Sequence, residues 1–249
     1  MARFAVGLSL ALLLSILAFS QSDPQALAFA AQSMSAMTGG ATISDITFNG
    51  NATRTVGSDV GTGPATFYGK GQYESRLNLA LSNGTRTEIR NSTNSAQGEW
   101  LDSNNNAYPF AQFNCLTDAV WFYPPLSSLS SASNSNTYQV LSYIGLETLN
   151  GESVQHIQSV WFGLALTTTD FYLDASTLLP VQINFNGHPD TDVSTNIPFQ
   201  ILFSNYQNLS GMLIPYHVQE IVNGNLLLDF SASSAAVNSG LSDSLFTIQ

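Results

Sequence analysis

Metal or acid–base chemistry in this chain would have to be built on three histidines, His156, His188 and His217, and they lie far apart in the sequence. Zinc sites and general bases recruit imidazole together with carboxylates or thiolates in close company. Only His188-Pro189-Asp190-Thr191-Asp192 sets an imidazole beside two carboxylates that could hold a cation. The segment follows Asn186-Gly187 and also spells an ordinary acidic turn, which is the expectation here. Asp170 and Asp174 have the parity of two carboxylates on one face of a strand, as a paired-carboxylate glycosidase would need. Nothing beyond spacing supports that pairing, and solvent-facing strand-end aspartates are expected instead. The sequence contains no G-x-S-x-G, H-E-x-x-H, P-loop or C-x-x-C motif. No catalytic residue, metal ligand or cofactor is therefore assigned from the sequence. Cys115 is the single cysteine, flanked by Phe113, Leu116 and Val120, and is expected as a buried, inert thiol. Asn-x-Ser/Thr sequons at Asn51, Asn83, Asn91 and Asn208 would matter only in a eukaryotic secretory pathway.

The apolar pattern carries more information. One parity of successive expected strands reads Leu77, Leu79 and Leu81, then Phe171 and Leu173, then Val181, Ile183 and Phe185, then Phe199, Ile201 and Phe203. Placed on one side of a curled sheet, these residues would line a broad hydrophobic concavity of the kind that holds an apolar ligand. Equally, they could be plain core, filled by a helix.

The elements that must position them follow from periodicity. Asp23 caps and Pro24 opens a helix over Gln25 to Met37, with Leu27, Ala30, Ala31, Met34 and Met37 on one face and Gly39-Gly40 as the stop. From Ala41 the period becomes two. Strands are expected over Ile46–Ala52, Ala65–Gly69 and Tyr73–Leu81, followed by a turn at Ser82-Asn83-Gly84 and a returning strand over Thr85–Arg90. On that returning strand Arg86, Glu88 and Arg90 read as solvent-facing cross-strand charges. Asn91 to Asn136 reads as irregular, with a short helix at Leu116 to Tyr123 and a serine-rich loop from Ser127 to Asn136. Strand-turn-strand units resume over Gln139–Glu147, Ser153–Trp161, Thr169–Asp174, Leu179–Phe185, Phe199–Tyr206, Ile214–Val222 and Leu226–Ser231. Pro198 and Pro215 are expected at strand starts. The sum is a β-dominated α+β fold, a curled, unclosed antiparallel sheet of roughly ten strands covered by the N-terminal helix and the irregular middle segment.

Arg3, the apolar run Phe4 to Phe19 and the small residues at Ala18 and Ser20 have the form of a secretory signal peptide over residues 1–20, cleaved before Gln21. The run is shorter than the roughly 20 apolar residues of a membrane span, so no stable membrane anchor is expected. Residues 21–249 would then form one exported domain, periplasmic or extracellular. Loss of Arg3 would take the formal charge from −11 to −12, with Lys70 the single lysine. Nucleic acid and anionic membrane surfaces are thereby disfavoured as partners.

Gly145-Leu146-Glu147-Thr148-Leu149-Asn150-Gly151-Glu152 and Phe171-Tyr172-Leu173-Asp174-Ala175-Ser176-Thr177-Leu178-Leu179-Pro180 form successive strand-turn units. With Phe203-Ser204-Asn205-Tyr206, Gly211-Met212-Leu213-Ile214-Pro215-Tyr216 and the closing Val237 to Phe246, their order and spacing resemble the LolA-like superfamily of periplasmic lipoprotein carriers and their sigma-factor-regulator relatives. The resemblance covers roughly the last hundred residues. It implies an unclosed half-barrel with helical cover and a hydrophobic cavity for a lipid, an acyl chain or another apolar molecule. The expected function is an exported binding protein with such a ligand. The alternatives are a non-catalytic envelope interaction or sensor domain with a closed core and an envelope protein as partner, or a hydrolase or metal enzyme around His188, Asp190 and Asp192.

Overall fold

The computed structural model describes residues 21–71, 74–91, 97–111, 114, 139–162, 166–189, 192 and 194–249. The expected signal peptide, Cys115, the segments Leu116 to Tyr123 and Ser127 to Asn136, and Asp190 lie outside these residues.

The chain order begins with helix α1 (Pro24–Thr38). The Asp23 carboxylate accepts from the Gln25 backbone N–H at 2.8 Å, Pro24 needs no partner at the first helical position, and Gly39, at φ 60°, donates back to the Ser35 carbonyl. The buried stripe is Ala26, Ala30, Ser33 and Met37, with Leu27 and Met34 packing beside it, whereas Ala31 is exposed. Small residues at the centre of the stripe let the helix backbone approach the surface beneath.

Strands β1 (Asp45–Val56), β2 (Asp59–Lys70), β3 (Glu74–Leu81), β4 (Gly84–Asn91), β5 (Gln97–Leu101) and β6 (Ala107–Pro109) follow. Next come β7 (Gln139–Leu149), β8 (Glu152–Phe162), β9 (Leu166–Asp174) and β10 (Pro180–Gly187). The last three are β11 (Ile197–Leu209), β12 (Met212–Val222) and β13 (Asn225–Val237). All thirteen belong to one sheet of order β6-β5-β4-β3-β2-β1-β13-β12-β11-β10-β9-β8-β7. The roughly ten strands expected fall short because β5 and β6 lie in the stretch read as irregular; they are brief and surround the Asn104-Asn105-Asn106 turn. Tight turns do most of the joining, as at Asn150-Gly151 and Asn223-Gly224, where both residues of each pair have positive φ. Pro215 corrects another expectation. It lies inside β12 opposite Tyr206, beyond the pairing with β13, which starts at His217, so its missing N–H leaves that ladder intact.

The two halves of the chain meet in the middle of the sheet, where β1 runs antiparallel to β13. Strands β6 and β7, consecutive in sequence, form the two opposite edges, so the sheet is unclosed. Helix α1 packs on β12 and β7, which four strands separate, and so lies across the concave side. A single apolar cluster runs from the helix through β1, β2 and β3 on one side and β7 to β12 on the other. On the convex side the 3-10 turn Asp243–Phe246 lays the fully buried Phe246 close to β3 and β4, where Ile89 is buried as well. Lys70 pairs with Asp243 and Arg76 donates to the Leu245 carbonyl, fastening this tail. Asp45 anchors its start by accepting from the Ser239 N–H and hydroxyl and the Gly240 N–H. Burial would raise the Asp45 pKa, but these bonds from Ser239 and Gly240, with one from Ser44, leave it below the ordinary value.

Close approach of β3 to the first hairpin depends on glycine. A Cβ at Gly63 would lie 2.1 Å from the Ala80 carbonyl oxygen of β3, and one at Gly61 would lie 1.9 Å from the Asn83 side-chain oxygen. Backbone cannot swing aside as a side chain can. Gly63→Ala should therefore lower stability by about 1–3 kcal/mol, and Gly61→Ala by less. Urea denaturation of both variants tests this ordering, which equal losses would contradict.

Candidate functional site

Strand register places the concave face residue by residue. Phe171, Ile183 and Ile201 are directly opposed across β9, β10 and β11, and Phe185 opposes Phe199 with the rings stacked at 5.1 Å. In the other half of the sheet, Phe48, Phe67 and Leu77 are opposed across β1, β2 and β3, and Ala65 opposes Leu79. Opposed residues of an antiparallel pair share a face. Of the eleven residues assigned to the concavity, Leu77, Leu79, Phe171, Leu173, Ile183, Phe185, Ile201 and Phe203 are at most 5% exposed, and Leu81 and Phe199 pack half-buried against them. Val181 is the exception. The β9–β10 register shifts between Pro180 and Gln182, so Val181 has no opposite residue and lies outside the cluster; period-two counting fails across a bulge.

A corner of the same face is charged, contrary to the sequence expectation. Arg86 opposes Leu79, Glu88 opposes Leu77 and Arg90 opposes Ser75, so the triad read as solvent-facing points to the buried side. Their side chains are 18%, 12% and 5% exposed. Glu88 accepts from Arg86 Nε at 2.6 Å and from Arg90 Nη2 at 3.1 Å. Burial by itself would raise the Glu88 pKa, but the two guanidiniums bring it down to about 2. Aromatic rings back the cations: Arg86 lies 4.0 Å from the centre of the Trp100 ring, which stacks on Tyr108, and Arg90 lies 4.5 Å from that of Phe110. Arg54 shares the parity of this face, two positions along β1 from Ala52, and so does Glu220 of β12, which like Arg54 opposes Leu228 of β13. Arg54 is half-buried and makes no hydrogen bond or ion pair among the described residues. Burial first, and then the like charge of Arg86, lower its pKa from the ordinary arginine value; Glu88, Glu220 and Asp59 act more weakly the other way.

Two of the three histidines, His156 and His217, lie on the convex parity. His156 sits between Glu147 on β7, at 2.8 Å from Nδ1, and Asp170 on β9, at 2.9 Å from Nε2, with its ring stacked on Tyr172. Gln158 also donates to Asp170. No sequence signal links these residues, because only the β7–β8–β9 register brings them together. His217 lies 2.9 Å from the Ser204 hydroxyl and 3.0 Å from Asp229, whose second oxygen accepts from Gln219. These are the residue types of a hydrolase triad, but Ser204 is exposed on a sheet face, whereas a hydrolase needs an enclosed site with oxyanion donors. His188 is clipped at its backbone by the Asn114 side chain and contacts the Thr195 carbonyl through Nδ1. Asp192 is spent on Ser194 and Thr195, whose hydrogen bonds bring its pKa to about 2. Asp174 caps the Ser176-Thr177 turn, so it and Asp170 serve different networks. Among the described residues no group of three or more His, Cys, Asp or Glu is arranged to hold a metal ion, and no helix is long and apolar enough to cross a membrane.

No protein-family model matches the sequence, and no curated protein matches it. Solved structures do. A domain from Vibrio parahaemolyticus assigned to outer membrane lipoprotein sorting superimposes with a TM-score of 0.59 at 9% identity, over 89% of this chain and 96% of that one. A LolA superfamily protein from Nitrosomonas europaea gives 0.52 at 10% identity, over 90% and 97%. This chain has the LolA-like fold. A DUF1329 family protein from Desulfovibrio piger shares it, with a TM-score of 0.58 at 14% identity over 92% of this chain and 98% of that one. At such identities the likeness is one of fold, and the lining of the LolA-like sheet has to be read from this chain's own residues.

Proposed function

We propose that this chain is an exported binding protein that takes a lipid, acyl chain or other apolar ligand on the concave side of its LolA-like sheet. The observation that carries the reading is the apolar face itself: it continues across β1, β2, β3 and β9, β10, β11, and a helix of small inner residues crosses it instead of a second sheet. A lid of that kind can shift without breaking strand pairing, which a strand cannot. The fold shared with a domain assigned to lipoprotein sorting supports the same reading. The reading contains no catalytic step.

One observation favours a second reading, an envelope interaction domain with a closed core: eight of the eleven expected lining residues are at most 5% exposed. Titration with a fluorescent fatty-acid probe, alongside native mass spectrometry of protein purified from its own source, separates the two. Saturable binding at one site, or a co-purifying mass of lipid size, is expected. A protein that is consistently empty, ignores the probe and recovers one stoichiometric protein partner would replace the first reading with the second.

A further inference from the structure

Residues 238–249 leave the sheet after β13 and cross the convex side of its first half, meeting the strands there in order. Ser239 and Gly240 donate to Asp45 of β1, and Lys70 of β2 donates to the Leu241 carbonyl and pairs with Asp243. Arg76 of β3 donates to the Leu245 carbonyl at 3.0 Å, and Asn91 of β4 donates to the Phe246 carbonyl at 3.3 Å. Glu99 of β5 accepts from the Gln249 N–H at 2.9 Å. Each of the adjacent strands β1 to β5 thus lends a side chain that holds the segment. Register supplies the alignment: Asp45, Lys70, Glu74 and Asn91 are directly opposed across β1 to β4, and Arg76, Ile89 and Glu99 across β3 to β5.

This attachment differs in kind from strand pairing. Asn238 is fixed, with its backbone N–H on the Asp45 carbonyl and its side chain between the Ser44 N–H and the Thr42 carbonyl. Beyond it, among the described residues, no backbone group of the segment bonds to a backbone group of a strand. Only Phe246 of residues 238–249 is buried, close to β3 and β4. A segment with one buried anchor and bonds made through side chains can open while the core stays folded, because local opening forfeits only those contacts. Gly240, at φ 76° just beyond the fixed Asn238, supplies a pivot. The edge that the segment ties down is the weaker one: β5 has 5 residues and β6 has 3, whereas β7 at the opposite edge has 11.

We propose that residues 238–249 are a releasable clasp. Closed, it fixes the curl of β1 to β5; released at its pivot, it leaves the β4–β6 edge free to swing and opens the concave side at that rim. The inference is independent of what the concave face binds.

Native-state hydrogen exchange on the full chain, followed strand by strand at low urea, tests it. In the unmodified protein the Gly240 and Gln249 amides and those of β4 and β5 should exchange at least about tenfold faster than those of β8 to β11. Their rates should depend little on urea, because a local opening exposes little surface. Phe246→Ala should speed this first group at least about tenfold more, since the clasp loses its buried ring. Arg76→Met removes one bond and should act in the same place by less, which gives a reading if the first variant fails to fold. A synthetic peptide of residues 238–249, at about the millimolar concentration that a short tether provides, should slow β4 and β5 exchange in the Phe246→Ala protein. The same peptide with alanine in place of the phenylalanine should not. Exchange of β4 and β5 at the rate and urea dependence of β8 to β11 would overturn the clasp, since segment and sheet would then open as one unit. Unchanged β4 and β5 exchange in both variants would overturn it as well. Failure of the phenylalanine peptide to restore protection would do the same, by showing fixed packing in place of a releasable contact.

Discussion

Replacing Glu88 by glutamine should lower the unfolding free energy by about 3–5 kcal/mol, the cost typical of removing one partner from a buried ion pair. The glutamine retains an acceptor of similar shape but not the charge that holds Arg86 at 2.6 Å and Arg90 at 3.1 Å on a face shared with Leu77 and Leu79. The loss should depend on pH with a definite sign. The folded-state pKa of Glu88, about 2, lies below its ordinary value of 4.5. Its contribution is therefore fully present above pH 4.5 and disappears as the pH falls through the folded value. A difference of that size corresponds to about 3 kcal/mol at neutral pH, the same order as the pair-breaking cost. Asp45 and Asp192 are also held below the ordinary carboxylate value, so the informative quantity is the gap between parent and Glu88→Gln in denaturant melts. That gap should be widest near pH 7 and nearly closed near pH 2. A gap that stays constant across this range would show that Glu88 does not carry its charge in the folded protein.

Phe171→Ala should cost about 3–5 kcal/mol, as large-to-small changes at filled aromatic positions do. Phe171 is fully buried, with Ile157 and Ile183 opposite it on the flanking strands and Ile201 one strand further. Removing the ring empties the centre of the β8–β11 half of the face. Phe199→Ala, at a half-buried ring stacked on Phe185, should cost less. Guanidinium titrations of the two variants give the comparison. The outcome also bears on function: a loss below about 1 kcal/mol for Phe171→Ala would mean that the ring borders open space, because truncation beside a void forfeits few contacts. A full-sized loss means that this part of the face is filled and places the ligand's room elsewhere on it.

Much of the lining was legible in advance because it depends on local pattern. Leu77 and Leu79, and the runs through Phe171, Ile183 and Ile201, alternate within single strands, and alternation fixes a common face wherever the ladder is regular. The pattern misleads at β4. Ile89 is the one large apolar residue in that strand and invites the assignment of its own parity to the core, which sends Arg86, Glu88 and Arg90 outward. In the structure Ile89 is indeed buried, but on the convex side, where Phe246 arrives from the far end of the chain. Both faces of β4 are covered, so hydrophobicity alone could not say which side was which. Val181 was misplaced for a different reason, a bulge that no residue type announces.

By itself, the sequence determined the class of this protein: one capped N-terminal helix, then strands joined by Asn-Gly and Ser-Gly turns into a sheet too large to stay flat. Those features are set by neighbours a few residues apart, through backbone dihedrals, capping groups and side-chain alternation. Tertiary structure alone decided that β1 and β13 pair in the middle of the sheet, that Glu147, His156 and Asp170 meet on its convex face, and that three arginines share its concave one. Each of these is a matter of strand order and register between segments distant in the chain, and of which covering element reaches which face. Local propensities do not encode either, because the free energy that selects them comes from burial and charge compensation realised only when the whole sheet is assembled.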